Sequence, residues 1–166
     1  MPRSGSTLLE NILSLNPEVI DLGEVNFLEE SIKEAKDFED VYDLYEKKVI
    51  NQFQSSIIYT DKSLFNYMYC AVISNFFPKA KIINCIRNPL DNILSIYRAN
   101  FLKQSFSFSL TDISSLYVHY FETMEEYKIK YGENIYDYHY EDLIKNPNNV
   151  IPCLLYTSPS PRDDLW

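Results

Sequence analysis

The sequence predicts an α/β sandwich with a mostly parallel central sheet, on three observations. Short β-prone runs alternate with segments of helical periodicity, the pattern of strands joined by crossover helices. Only three glycines occur among 166 residues, too few for a turn-rich all-β architecture. The first helical segment opens directly behind a small-residue loop, Pro2-Arg3-Ser4-Gly5-Ser6-Thr7, as phosphate-binding loops do in parallel sheets.

Taken in order, the first helix is expected over about 6–15, burying Leu8, Leu9, Ile12 and Leu13. It should stop before Asn16-Pro17, because the residue preceding a proline avoids the α region. Ile20-Asp21-Leu22 reads as a short extended piece turning at Gly23, followed by acidic helical stretches from 24 to 54. Their apolar stripes are Phe27, Leu28, Ile32 and Ala35, then Val41, Leu44, Tyr45, Val49 and Phe53. The charges between these stripes read as solvated faces. Strands are expected at 57–60, 81–87 and 135–139, and helices at 64–77, after Asn88-Pro89, at 110–131 and from Tyr140. Asn88 suits an N-cap and Pro89 the first helical position, while Gly132 reads as a C-cap. Only Met1 and Pro2 precede the loop, so the strand that should lead into it is expected to be missing. Residues 152–166 hold three prolines without periodicity and read as a non-native, disordered tail, leaving one domain over 1–151.

Composition narrows the partners. Hydrophobic content of 46%, with 15% aromatic residues, indicates a globular core rather than disorder. A net charge of -9 disfavours nucleic acid or an anionic membrane as a bulk partner, so any anion must be held by a few local cations. No run is long and apolar enough to span a bilayer and no signal peptide is visible, which together point to a cytoplasmic protein. Cys70, Cys85 and Cys153 form no CxxC pair and suit a reducing compartment. His119 and His139 lack companions at ligand spacing, and no metal site is expected.

The chemistry should gather at the carboxyl ends of the strands, where ligands bind in open parallel sheets. The residues at those ends are Asp61/Lys62, Arg87/Asn88 and His139/Tyr140, and the N-terminal loop shares their rim. The loop is an anion cradle. Gly5 permits a tight bend, Ser4, Ser6 and Thr7 carry hydroxyls, Arg3 carries charge, and the helix start adds free N–H groups. The Walker lysine is absent, which counts against an ATPase. Arg87, with Ser95 and Arg98 on one face of the next helix, forms a second oxyanion site. Two such sites on one rim suit a ligand with two separated anionic groups. Simpler readings are a helix-capping Ser/Thr/Gly cluster and a surface Arg87 paired with Asp91.

Pro2-Arg3-Ser4-Gly5-Ser6-Thr7-Leu8-Leu9 resembles the 5′-phosphosulfate loop of sulfotransferases. The run from Cys85 to Tyr97, an Arg with a Ser eight positions on, resembles their 3′-phosphate motif. The similarity is to bacterial tetratricopeptide-linked and, more distantly, tyrosylprotein sulfotransferases, and it runs from Met1 to about Asn146. It implies a P-loop-like three-layer sandwich, of which this chain lacks the first strand and the C-terminal part. It also implies transfer of a sulfuryl group from 3′-phosphoadenosine 5′-phosphosulfate (PAPS) to a hydroxyl on a carbohydrate or a protein tyrosine. By position, Arg3, Ser4, Gly5, Ser6 and Thr7 would hold the 5′-phosphosulfate, and Arg87 with Ser95 the 3′-phosphate. Lys62 and Arg3 would stabilise developing charge, Glu24 would be the general base, and Tyr140 would lie near the nucleotide. The alternatives are a kinase-like, Mg²⁺-dependent phosphoryl transferase and an inactive fragment acting as an interaction module.

Overall fold

The β-prone runs become short parallel strands, each followed by a helix. The computed structural model describes residues 1–53, 58–99, 101 and 105–149, so the predicted tail at 152–166 lies outside the described residues. The order is α1 (Ser6–Leu13), β1 (Val19–Asp21), α2 (Phe27–Glu34), α3 (Asp40–Gln52), β2 (Ile58–Thr60), α4 (Cys70–Phe76), β3 (Ile82–Ile86), α5 (Pro89–Ala99), α6 (Leu110–Tyr131), β4 (Ile135–His139) and α7 (Tyr140–Lys145).

Among the described residues the strands form two parallel pairs rather than one continuous sheet. Val19, Ile20 and Asp21 of β1 pair with Ile58, Tyr59 and Thr60 of β2. The five residues of β3 pair in register with β4, from Ile82 with Ile135 to Ile86 with His139. Residues of both β2 and β3 line one cavity of about 1230 Å³. The α/β class and the parallel pairing follow the sequence reading; the split does not.

Side-chain alternation along β3 sets the layers. Ile83 and Cys85 pack against Leu9 and Leu13 of α1, with Tyr138 and Leu143. On the other face Ile82 packs with Cys70 of α4 and with Tyr120 and Met124 of α6. The Tyr120 hydroxyl donates to Asn84 Oδ1, and the Asn84 amide donates to Asp137 Oδ1 at 2.8 Å. This satisfies a polar side chain that would otherwise be costly inside the sheet. Helices on both faces of parallel strands give the expected three layers. The other half has its own core of Leu22, Phe27 and Val49, with Tyr45, Phe53 and Tyr59 around it.

Several elements depart from the periodicity. The acidic stretch breaks between α2 and α3, where Ala35 turns extended (ψ 141) and Asp37 accepts from the Asp40 N–H at 3.3 Å. Lys48 then ties the helices by pairing with Glu34 at 2.8 Å and Glu30 at 3.5 Å, so those charges are cross-braces as well as a solvated face. The expected helix at 64–77 begins with a 3₁₀ turn over Asn66–Tyr69. Gly132 is the C-cap of α6, right-handed (φ -57) as the chain leaves the helix through a 3₁₀ turn into β4. Asn88 does cap α5, its Oδ1 accepting from the N–H groups of Leu90 (3.0 Å) and Asp91 (3.3 Å). Burial pushes the Cys70 thiol up to about 12 and Cys85 to about 11, which makes both core groups rather than nucleophiles.

Candidate active site

The N-terminal loop is held in a left-handed turn on both sides of Ser4. Arg3 has φ 60 and Gly5 φ 94. Gly5 is required twice over, because a Cβ there would also run into the ring of Tyr140. Ser4 does not offer its hydroxyl to a ligand: it is buried and donates to the Met1 carbonyl at 2.8 Å. Its part in the cradle is to close the turn. Asn92 of α5, itself buried, donates from its side-chain amide to the Pro2 carbonyl at 2.9 Å and fixes the loop from outside. Beyond the loop α1 begins at Ser6 with no side-chain cap, so its first-turn N–H groups stay free for an anion beside Ser6 and Thr7.

The second predicted site meets the first. Arg87, at the carboxyl end of β3, donates from Nη1 to the Arg3 carbonyl at 3.1 Å. Its guanidinium lies 4.8 Å over the Tyr140 ring, and its Nε is buried without a partner. Tyr117 of α6 steadies the strand end by donating to the Arg87 carbonyl at 3.3 Å. The Arg3 side chain crosses to this region, with Nε donating to Ser95 Oγ at 3.2 Å. Arg3, Arg87, Ser95, Arg98 and Asp91 line a smaller pocket of about 370 Å³. Among the described residues none of the ion pairs involves an arginine, so Asp91 does not neutralise Arg87. The guanidinium of Arg3 therefore belongs with the second site, although its backbone belongs to the first.

Lys62 is the third contributor. Its N–H donates to the Gly23 carbonyl at 2.9 Å, which joins the end of β2 to the turn before Glu24. Its ammonium lies 3.5 Å from Glu24 Oε1 and 3.4 Å from Glu10 Oε2. The two carboxylates differ sharply: the Glu24 side chain is 72% exposed and that of Glu10 only 6%. Burial raises the Glu10 carboxyl above its usual range, partly offset by Lys62 and reinforced by Asp21. Neighbouring Asp61 faces inward, accepting from the Ser63 N–H, Tyr45 hydroxyl and Asn66 amide at 2.8–3.0 Å, which secures the turn carrying Lys62.

The loop, Glu24, Lys62, Arg87 and Tyr140 all line the 1230 Å³ cavity, and Ser95 joins them through Arg3. Two contributors escaped the sequence reading. Asn92 was not singled out, although the eight-residue spacing from Arg87 to Ser95 brackets it. Glu10, within the apolar stripe of α1, was not singled out either. Among the described residues no group of three or more His, Cys, Asp and Glu is placed to hold a metal ion, and no helix is long and apolar enough to cross a membrane.

Comparison with known proteins places the chain by family. The sequence model described as the sulfotransferase family matches residues 28–157. A protein of Aquifex aeolicus (strain VF5), named only as uncharacterized, is 27% identical over 191 aligned residues. The alignment covers 99% of this chain and 25% of that protein, so the chain spans about a quarter of the length of the relative it matches. No solved structure matches.

Proposed function

The chain belongs to the sulfotransferase family, and from that premise we propose that its cavity transfers a sulfuryl group from 3′-phosphoadenosine 5′-phosphosulfate to an acceptor hydroxyl on a carbohydrate or a protein tyrosine. The observation that carries the reading is the Arg87–Arg3 carbonyl contact at 3.1 Å. It sets a strand-end guanidinium directly against the anion loop, so one donor can be gripped at both of its charged ends. The residues suit such a donor. Gly5 lets the loop turn closely against Tyr140, the first turn of α1 has free N–H groups, and the buried Arg87 Nε still has a hydrogen to give.

In this reading the α1 N-terminus, Ser6 and Thr7 bind the 5′-phosphosulfate, and Arg87, Ser95 and Arg3 bind the 3′-phosphate, with Tyr140 beneath the guanidinium. The acceptor oxygen attacks sulfur as the bond from sulfur to the phosphate oxygen breaks. The acceptor proton passes to Glu24, and the products are a sulfate ester and 3′-phosphoadenosine 5′-phosphate. Lys62 stabilises the charge that grows on the departing oxygen, a contribution that counts most when the donor is fixed beforehand. Arg3 assists from the 3′-phosphate side, where its guanidinium rests on Ser95.

The test is transfer of ³⁵S-labelled sulfate from PAPS to a panel of phenolic and sugar hydroxyls. Label on an acceptor supports the reading. Turnover that requires ATP–Mg²⁺ and ignores PAPS would place the site among phosphoryl transferases instead.

A further inference from the structure

Resting on that reading, we propose that Glu10 is a positioning residue: it competes with Glu24 for the Lys62 ammonium and so limits the hold of the lysine on the carboxylate that accepts the proton of the attacking hydroxyl.

Glu10 sits on the second turn of the helix that follows the anion loop, so its place is tied to the loop. Its Oε2 lies 3.4 Å from Lys62 Nζ, and its Oε1 accepts from Thr60 Oγ1 at 3.4 Å. The residue is 5% exposed. An isolated carboxylate so buried is costly, and an apolar side chain would fill the space better, so packing does not account for it. Glu24, the other partner of Lys62, is largely in water, where an ion pair contributes little and the side chain can leave. The fixed partner sets where the lysine points. Without the charge of Glu10, Glu24 would be the remaining carboxylate within reach of Lys62. Drawn to Glu24, the ammonium would move outward and weaken that carboxylate as a base.

The charged groups facing Glu10 are Lys62 after β2, Asp21 on β1 and, through Lys62, Glu24. Burial and Asp21 favour its protonated form more than Lys62 opposes it, so Glu10 loses its charge above the ordinary carboxylate range as pH falls. The arrangement should therefore fail on the acid side, and that limb should depend on Glu10.

Three variants test this: Glu10→Gln, Glu10→Asp and Thr60→Val, each checked for native circular dichroism. The readout independent of catalysis is acylation of Lys62 by acetic anhydride, followed residue by residue by mass spectrometry. We expect at least a threefold faster reaction in Glu10→Gln, a smaller rise in Thr60→Val, and a rate within twofold of the parent in Glu10→Asp. In the transfer assay Glu10→Gln should lose roughly tenfold in kcat, a misplacement effect. It should keep its affinity for 3′-phosphoadenosine 5′-phosphate, and the acid limb of its kcat–pH profile should shift from that of the parent. Unchanged Lys62 acylation in Glu10→Gln and Thr60→Val overturns the proposal, as does a loss confined to nucleotide affinity. If Glu10→Gln does not fold, Thr60→Val and Glu10→Asp decide alone. Absence of any transfer by the parent counts against the sulfotransferase reading, and the acylation rates still decide the coupling of Glu10 to Lys62.

Discussion

The two halves of the cavity handle charge in opposite ways. On the β3–β4 side, Arg87 and Arg3 line one small pocket, held by a backbone carbonyl, a serine hydroxyl and an aromatic ring, and among the described residues neither forms an ion pair. On the β1–β2 side, a single lysine is shared between a buried and an exposed glutamate. Unpaired guanidiniums on fixed supports suit an anion that must be held still. A lysine balanced between two carboxylates suits a place where charge and a proton must move. In the proposed function the first half is a grip and the second is the reacting end.

That contrast can be broken by exchanging what each half is expected to lose. The largest effect should come from Glu24→Gln, which lowers kcat by about 10²–10⁴ while leaving nucleotide affinity within twofold; a near-parental rate would remove Glu24 as the base. Next comes Arg87→Ala, where loss of charged hydrogen bonds of about 1.5–3 kcal/mol predicts affinity weaker by roughly one to two orders of magnitude. Isothermal calorimetry measures it, and a Lys at the same position should recover only part, since the planar fork and the stacking on Tyr140 are gone. Asn92→Ala should cost about 1–3 kcal/mol of stability in urea denaturation, because the Pro2 carbonyl loses its donor. A cost well below that range would show that the amide does not hold the loop. The smallest signal belongs to the thiols. With Cys70 near 12 and Cys85 near 11, iodoacetamide at pH 8 should leave both unmodified over the time that labels free glutathione.

The same division explains what could be read without coordinates. The grip is built from local grammar: a glycine at a left-handed turn, then a helix start, and a strand running into Asn88-Pro89. Each signal lies within a few residues of its consequence, so loop, strand end and helix were legible together. The reacting end is built from partners far apart in sequence. Glu10 meets Thr60 and Lys62 across 50 residues or more, and only the parallel pairing of β1 with β2 brings them close. Nothing around Glu10 in the sequence separates it from an ordinary helix-surface glutamate. Arg3 shows an intermediate case. Its backbone was assigned to the right loop, but the destination of its side chain, Ser95, depends on α5 lying beside that loop. The split into two strand pairs is likewise a matter of tertiary placement, which periodicity along one chain does not encode.

The central claim is that a single nucleotide donor is held at both charged ends, and calorimetry with two nucleotides tests it most directly. The parent chain and Arg87→Ala are each titrated with 3′-phosphoadenosine 5′-phosphate and with adenosine 5′-phosphate, which lacks the 3′ group. The account predicts that the parent prefers the former by tenfold or more and that Arg87→Ala abolishes the preference while still binding the latter as the parent does. Equal affinity of the parent for both nucleotides, or a preference that survives in Arg87→Ala, would contradict it.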